Sequence, residues 1–217
     1  MFPPRGPLTR LRDSDDVRAE RWLGTPTLGR NGVTLRPLVA SDAEALAAVP
    51  GGEAELYQFT GPVPTDVDAA LAGIRAAGDD PKRLAFAVID DETGRLVGTT
   101  SYYDVDEANL ALAIGYTYYA PDVVGTHVNP TAKLLLLDYA FTELGAVRVV
   151  WHTKAENARS RAAIAKLGAS FEGELAKHRR FGTGWRTTAQ FAMTDDEWAT
   201  HRERLVERVE AAPALVY

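Results

Sequence analysis

Cysteine is absent from this chain of 217 residues. That excludes a disulfide framework, a thiolate zinc site, an iron–sulfur cluster and a cysteine nucleophile. Long apolar runs are missing too: Leu134–Leu137 is the only one of note, against about 20 residues for a membrane helix. The start of the chain (Met1, Phe2, Pro3, Pro4, Arg5) lacks the apolar core of a signal peptide. An excess of basic residues is also lacking. The 24 Lys+Arg stand against 30 Asp+Glu, a net charge of −6, where a dedicated nucleic-acid binder shows a basic stripe. These absences predict a cytoplasmic protein that partners neither membrane nor nucleic acid. What is present, 46% hydrophobic residues, is ample for a buried core in one or two domains.

Residues 1–30 differ from the rest, with six Arg, four acids, four Pro and three Gly, which leaves −8 on the remaining body. They read as an Arg-rich arm, or a terminus without fixed structure, with a short amphipathic helix over Ser14–Leu23. From Asn31 the patterning sharpens into a single domain. Val33–Leu38 alternates as a strand that stops near Pro37. Ser41 and Glu44 are spaced as a capping box, and Thr65 opens a helix with Val67, Ala70, Leu71, Ile74 and Ala77 on one face, ended by Gly78. Leu84–Ile89 and Leu96–Tyr103 form a hairpin, and Leu110–Tyr119 follows as a third strand.

The second half has another rhythm. The loop Asp122–Asn129 leads to a helix over Pro130–Leu144, with Pro130 at N1 and Gly145 at the C-cap. Then come a strand (Arg148–Thr153), a helix (Asn157–Leu167), two strands (Ala169–His178 and Arg186–Met193), and a C-terminal helix capped by Thr194 and Glu197. An antiparallel half followed by a β-α-β half defines a mixed α/β fold.

Two stretches carry chemistry. Gly125-Thr126-His127-Val128-Asn129 joins a strand to a helix, so its backbone N–H groups and the positive helix end converge on one point, suited to a phosphate or pyrophosphate. Thr153–Ser160 also follows a strand, and its helix ends in Leu167-Gly168-Ala169 ahead of Phe171. Asn-x-x-Ser, helix, Leu-Gly-Ala-x-Phe resembles the segment after the cofactor site of the GNAT superfamily of acyl-CoA-dependent N-acyltransferases. Ile114-Gly115-Tyr116-Thr117 and the run from Gly125 through Ala132, Lys133 and Leu137 narrow the resemblance to its RimJ/RimL-like branch, named for enzymes that acetylate N-termini of ribosomal proteins. The likeness extends from about Val33 to Trp198.

The resemblance implies a mostly antiparallel sheet splayed at its centre with helices on both faces, acetyl-CoA as cosubstrate, no metal, and transfer to a primary amine. Gly125, Thr126, His127, Val128 and Asn129 would hold the pyrophosphate. Lys133 would add charge there or lie on a solvated helix face, and Asn157 would contact the pantetheine arm. A backbone N–H near Tyr118 or Tyr119 would hold the acetyl carbonyl. The family's loop reads Arg/Gln-x-x-Gly-x-Gly/Ala. Here it is Asp122-Val123-Val124-Gly125-Thr126-His127, so the central Gly alone remains, and the departure touches affinity. Many members carry a Tyr seven residues after the Asn to protonate the leaving thiolate; here it is Ile164, which cannot. Ser160 is the nearest replacement, or else a first-turn cap.

The general base stays open among Asp104, Asp106, Glu107, His127 and His152, and an α-amine with a pKa near 8 needs less help than a lysine. Tyr102, Tyr103, Tyr116, Tyr118 and Tyr119 read as core or as a substrate groove. Lys177–Arg180 with Phe181–Trp185 reads as a basic hairpin. The acidic body suits a cationic acceptor, such as a basic peptide N-terminus or a small-molecule amine. The alternatives are a longer acyl donor or a CoA-binding module without turnover. A homodimer fits as readily as a monomer. Without a cysteine, direct transfer in a ternary complex is favoured over a cysteinyl acyl-enzyme.

Overall fold

The computed structural model describes residues 22–49, 59 and 63–211. Eight strands form one sheet: β1 (Leu28–Arg30), β2 (Val33–Pro37), β3 (Leu84–Asp90), β4 (Arg95–Asp106), β5 (Ala111–Tyr119), β6 (Arg148–Lys154), β7 (Ser170–Phe181) and β8 (Gly184–Thr194). They are ordered β1-β2-β3-β4-β5-β6-β8-β7. Every pairing is antiparallel except β5 with β6. Five α-helices lie wholly among the described residues: α1 (Ala43–Ala47), α2 (Val67–Gly78), α3 (Val128–Asp138), α4 (Ala158–Ala165) and α5 (Asp195–Ala211). This is the mixed α/β architecture the element order predicts.

Helices lie on both faces of the sheet, and two tyrosines mark which. On one face the fully buried Tyr102 donates its hydroxyl to the Leu136 carbonyl of α3. On the other, Tyr118 donates to the Val49 carbonyl just after α1, at 3.2 Å. Because strand side chains alternate, Thr100 and Tyr102 share the α3 face while Ser101 and Tyr103 share the opposite one. α3 is buried almost all round, including Leu134, Leu136 and Leu137 at 0% exposure, which explains its apolar run. Its C-terminus continues as a π-helical turn, Tyr139–Glu143, and α5 packs beside it through the Arg202–Asp138 ion pair at 2.6 Å.

Local chemistry corrects several element ends. The capping carboxylate near α1 is Asp42, not a Ser41–Glu44 box: it accepts from the Val39 N–H at 2.9 Å and from both Arg36 guanidinium nitrogens. Burial pushes the Asp42 carboxyl up, but those bonds outweigh it and hold the pKa below the usual range. Asp66, rather than Thr65, caps α2 by accepting from Ala69 N–H at 2.8 Å. Helix α3 begins at Val128, so Pro130 is its third residue and not its first. The Thr194–Glu197 pair does cap α5, Glu197 accepting from the Thr194 N–H at 2.9 Å.

Most of the proposed arm, 1–21, lies outside the described residues. Trp22 is fully buried in the core and Leu28–Arg30 pairs with β2, so the packed body reaches back before Asn31. Among the described residues, no helix is long and apolar enough to cross a membrane.

Candidate active site

Strands β5 and β6 stay paired for only three residues each, Ala111–Ala113 against Arg148–Val150. Beyond Ala113 they part. A bulge lies on the free run of β5, where Tyr116 and Thr117 stand opposite the single Thr100 of β4 and Tyr116 takes φ +49°. The N–H of Ala120 donates to the Val97 carbonyl on the β4 side at 2.8 Å. Strand alternation therefore turns the Tyr118 N–H toward β4 as well and leaves the Tyr119 N–H aimed into the gap. Of the two tyrosines named from sequence, Tyr119 is the one whose backbone donor faces the opening.

The gap leads to the turn before α3. Gly125 takes φ +86°, a conformation that other residues adopt only with strain. Thr126 is spent inside the loop: its hydroxyl donates to the Val123 carbonyl at 2.7 Å and accepts the Val128 N–H at 3.3 Å. Val128 is wholly buried, and Pro130 has no N–H. The loop donors without a hydrogen bond among the described residues are thus the N–H groups of Gly125, His127 and Asn129. The His127 ring is buried, and its Nδ1 has no partner among the described residues. Three N–H groups without a hydrogen bond among the described residues, at the start of an 11-residue helix, suit an anionic diphosphate. Asp122, which as a bare anion would oppose this, is paired with Arg95.

Lys133 is not on that loop. It is 6% exposed on the inner face of α3, and its ammonium donates to Thr100 Oγ1 at 3.0 Å and Thr117 Oγ1 at 2.9 Å. That burial overturns the solvated-face alternative, and the two threonines hold the ammonium that the phosphate-contact reading aims at the cosubstrate. Burial lowers its pKa to about 7. The physical reason is helical phase: position 133 faces the sheet, among Ala132, Leu134, Leu136 and Leu137.

Across the gap, Asn157 caps α4 by accepting from the Ser160 N–H at 3.0 Å. Ser160 is capped rather than capping. Its hydroxyl is half-buried and makes no hydrogen bond among the described residues, whereas Ile164 packs in the core.

On the face away from α3 a polar chain bridges the point where the strands part. The Tyr103 hydroxyl lies 2.9 Å from His152 Nδ1. His152 Nε2 lies 3.1 Å from Gln190 Oε1, and Gln190 Nε2 donates to Glu172 at 3.0 Å. Glu172 in turn pairs with Arg148. The carboxylate accepts only, so it orients the Gln190 amide. Its Oε1 then faces the imidazole, the His152 proton sits on Nε2, and Nδ1 accepts from Tyr103. Burial lowers the His152 pKa against the raising influence of Gln190, and the ring is neutral at pH 7. Burial and then Asp104 raise that of Tyr103, which stays protonated. A neutral imidazole behind a phenol is a proton acceptor with a relay.

Two of the three acids considered from sequence are engaged elsewhere, and Glu107 makes no side-chain hydrogen bond or ion pair among the described residues. Asp104 pairs with Arg179 at 2.6 Å, and Asp106 closes the turn by accepting from Asn109. Sequence named His152 and Tyr103 separately. No local spacing joins residues 49 apart on different strands, and Gln190 and Glu172 carried no signal at all.

Comparison with known proteins agrees with this geometry. A model of the acetyltransferase (GNAT) domain matches residues 33–170. The uncharacterized N-acetyltransferase p20 of Bacillus licheniformis is 27% identical over 177 residues, spanning 80% of this chain and 98% of that one. A GCN5-related N-acetyltransferase from Brucella melitensis superposes with TM-score 0.81 at 26% identity, covering 86% of each chain. Mycobacterium smegmatis RimJ, solved in complex with CoA-disulfide, shares the fold with TM-score 0.71 at 23% identity, over 88% of this chain and 97% of that one. With a family match over more than half its length, this chain belongs to the GNAT acetyltransferase family.

Proposed function

We propose that the protein transfers an acetyl group from acetyl-CoA to a primary amine by direct attack in a ternary complex. The observation that carries this reading is the gap between β5 and β6, which opens after three paired residues and ends on the N–H groups of Gly125, His127 and Asn129. The RimJ complex with CoA-disulfide supports CoA as the ligand of such a gap. Acetyl-CoA supplies an activated carbonyl and a thiolate leaving group. The loop donors would hold its diphosphate, and the Asn157 side chain its pantetheine arm.

The Tyr119 N–H is suited to stabilising charge on the thioester oxygen, being fixed before reaction. As the amine nitrogen forms the new C–N bond and the C–S bond breaks, its proton passes to the Tyr103 oxygen while Tyr103 gives its own to His152 Nδ1. The thiolate takes a proton from Ser160, the hydroxyl nearest in sequence to the missing Tyr position, and Ser160 regains one from solvent water as His152 releases the amine's proton. Protein N-termini and small amines are both within this chemistry, and the RimJ/RimL-like branch is its natural setting.

A second reading, a CoA-binding module without turnover, draws on Ile164 and on the altered loop. Calorimetric titration with acetyl-CoA, followed by thiol release against an amine and peptide panel, separates the two. The chain has no thiol of its own, so the release assay has no protein background. Micromolar binding with thiol release supports transfer. Binding without release from any acceptor supports the module, and no binding removes both.

A further inference from the structure

The net charge of −6 hides a local reversal. On the face that carries Tyr103 and His152, the guanidinium of Arg83 lies 3.6 Å over the ring of Tyr116, and its Nε donates to Ser101 Oγ at 3.2 Å. Tyr116 stands edge-on to Tyr103, ring centres 5.2 Å apart and planes at 86°. From the other side Arg179 approaches the Tyr103 ring at 5.8 Å. Arg186 lies directly opposite Arg179 on the neighbouring strand. Like charges in that register repel.

Among the described residues, one of these three arginines is neutralised. Arg179 pairs with Asp104 at 2.6 Å. Arg83 and Arg186 form no ion pair among the described residues; Arg186 instead donates to the Thr188 hydroxyl at 3.2 Å. Burial lowers the pKa of both, and Arg179 lowers that of Arg186 further. Asp80 and Glu156 are the carboxylates that act on them, each the weakest of the influences on its arginine. Nearby, the His178 ring lies 5.2 Å from that of His152, and its buried Nδ1 also lacks a partner among the described residues. Half-buried guanidinium groups held by neutral contacts leave positive charge without an ion-pair partner among the described residues, beside the proton relay.

That charge is not placed for the cosubstrate's phosphates. The diphosphate loop follows the C-terminal end of β5, and α3 covers the opposite face of the sheet, where Thr100 and Tyr102 point. Tyr103, Tyr116 and Arg83 cluster on the other face, beside the bulge.

We propose that the acceptor amine carries a carboxylate of its own, as an amino acid does, with its nitrogen at Tyr103 and its carboxylate on Arg83 and Arg186. This rests on the acyl-transfer reading and reverses the cationic acceptor that the overall charge suggests. Guanidinium suits a carboxylate because it offers paired donors in a plane. The two arginines act as specificity residues and take no part in the transfer itself.

The test compares leucine with leucinamide and with a diamine, acetyl-CoA being fixed and saturating. Leucine is expected to show a KM at least about tenfold below that of the amide, the scale of a charge-assisted hydrogen bond pair. Arg83→Gln and Arg186→Gln should raise the leucine KM by a similar factor at little change in kcat, and leave the amide KM alone. Arg83→Lys should recover part of the loss. Equal or better use of the amide or the diamine overturns the proposal. If acetyl-CoA binds but nothing is acetylated, the transfer reading fails separately. The acceptor site is then probed by titrating N-acetylleucine and N-acetylleucinamide into the CoA complex. Carboxylate-dependent binding that Arg83→Gln abolishes sustains the inference; equal binding of the two, or none, overturns it.

Discussion

The ring of Tyr103 lies across Gly115 on the adjacent strand, where a Cβ would stand 2.6 Å from Tyr103 Cε1. The missing side chain is what lets the phenol cross β5 and meet His152 on β6. Gly115→Ala should therefore push the ring out of line. The expected outcome is a fall in kcat of tenfold or more, since small misplacements of reacting groups are costly. Acetyl-CoA affinity should stay within a few-fold, as read by calorimetry. An unchanged kcat would show that the Tyr103–His152 contact is only structural.

His152→Gln removes the proton acceptor while keeping an amide within reach of Gln190. The kcat should drop about a hundredfold or more, the usual scale for a lost general base. The pH profile carries more information. The folded pKa of His152 is lowered by burial, by His178 and by Arg179, against Gln190 and Asp104. The neutral base is thus lost only as pH falls below the ordinary histidine range near ~6.5, and wild-type kcat should hold its plateau through that value. In His152→Gln that acid limb should vanish. A limb that persists in the variant assigns it to another group.

Ser160→Ala tests the thiolate proton. Its hydroxyl touches nothing that stabilises the helix, because Asn157 accepts from the Ser160 backbone and not from the side chain. The melting temperature should therefore change little while kcat falls and KM holds. Equal kcat in the two proteins would remove Ser160 from the reaction.

Lys133 makes a stability prediction with a definite sign. Its folded pKa of about 7 lies below the unfolded value of about 10.4. The unfolded chain therefore binds more protons between those pH values, and stability rises with pH across that window. Lys133→Met keeps length and removes the buried charge. The variant should be the more stable protein at pH 7 and below, by on the order of a few kcal/mol before the lost threonine bonds are subtracted. Its advantage should shrink toward pH 10. Denaturant curves at pH 7, 8.5 and 10 check this, and parallel behaviour of the two proteins would show that Lys133 is charged in the fold.

Asp122→Asn addresses the loop. Arg95 and Asp122 are both about half exposed, so their pair contributes less than about 1 kcal/mol to folding. Removing the carboxylate should leave the melting temperature nearly unchanged. It should tighten acetyl-CoA binding two- to fivefold at low salt, an effect that fades as salt screens the charge.

Much of this fold was legible because its periods are strong. Alternation marked Val33–Pro37, and the glycine at 145, in the left-handed region, marks the end of the turn that follows α3. The Gly125 loop and the Asn157-x-x-Ser160 turn could be found because each is a local motif, read within a few residues, although the cap there is Asn157 and not Ser160. What stayed hidden depends on pairing between distant strands. Tyr103 meets His152 because β4, β5 and β6 lie side by side and Gly115 is bare, which no window of sequence displays. Lys133 was misplaced for a different reason: a lysine in a helix implies an exposed face, and only the two threonines beneath it make burial tolerable.

The three-residue pairing of β5 with β6 also governs how the molecule holds itself together. Strands β1 to β5 form one continuous ladder and β6 to β8 another, with that short seam and the contact of α3 with α5 between them. Amide hydrogens along the open edges of β5 and β6 should exchange first. A ligand whose own amides line the gap acts as a missing strand, so its binding should slow exchange on both ladders at once and fuse two folding units into one cooperative transition.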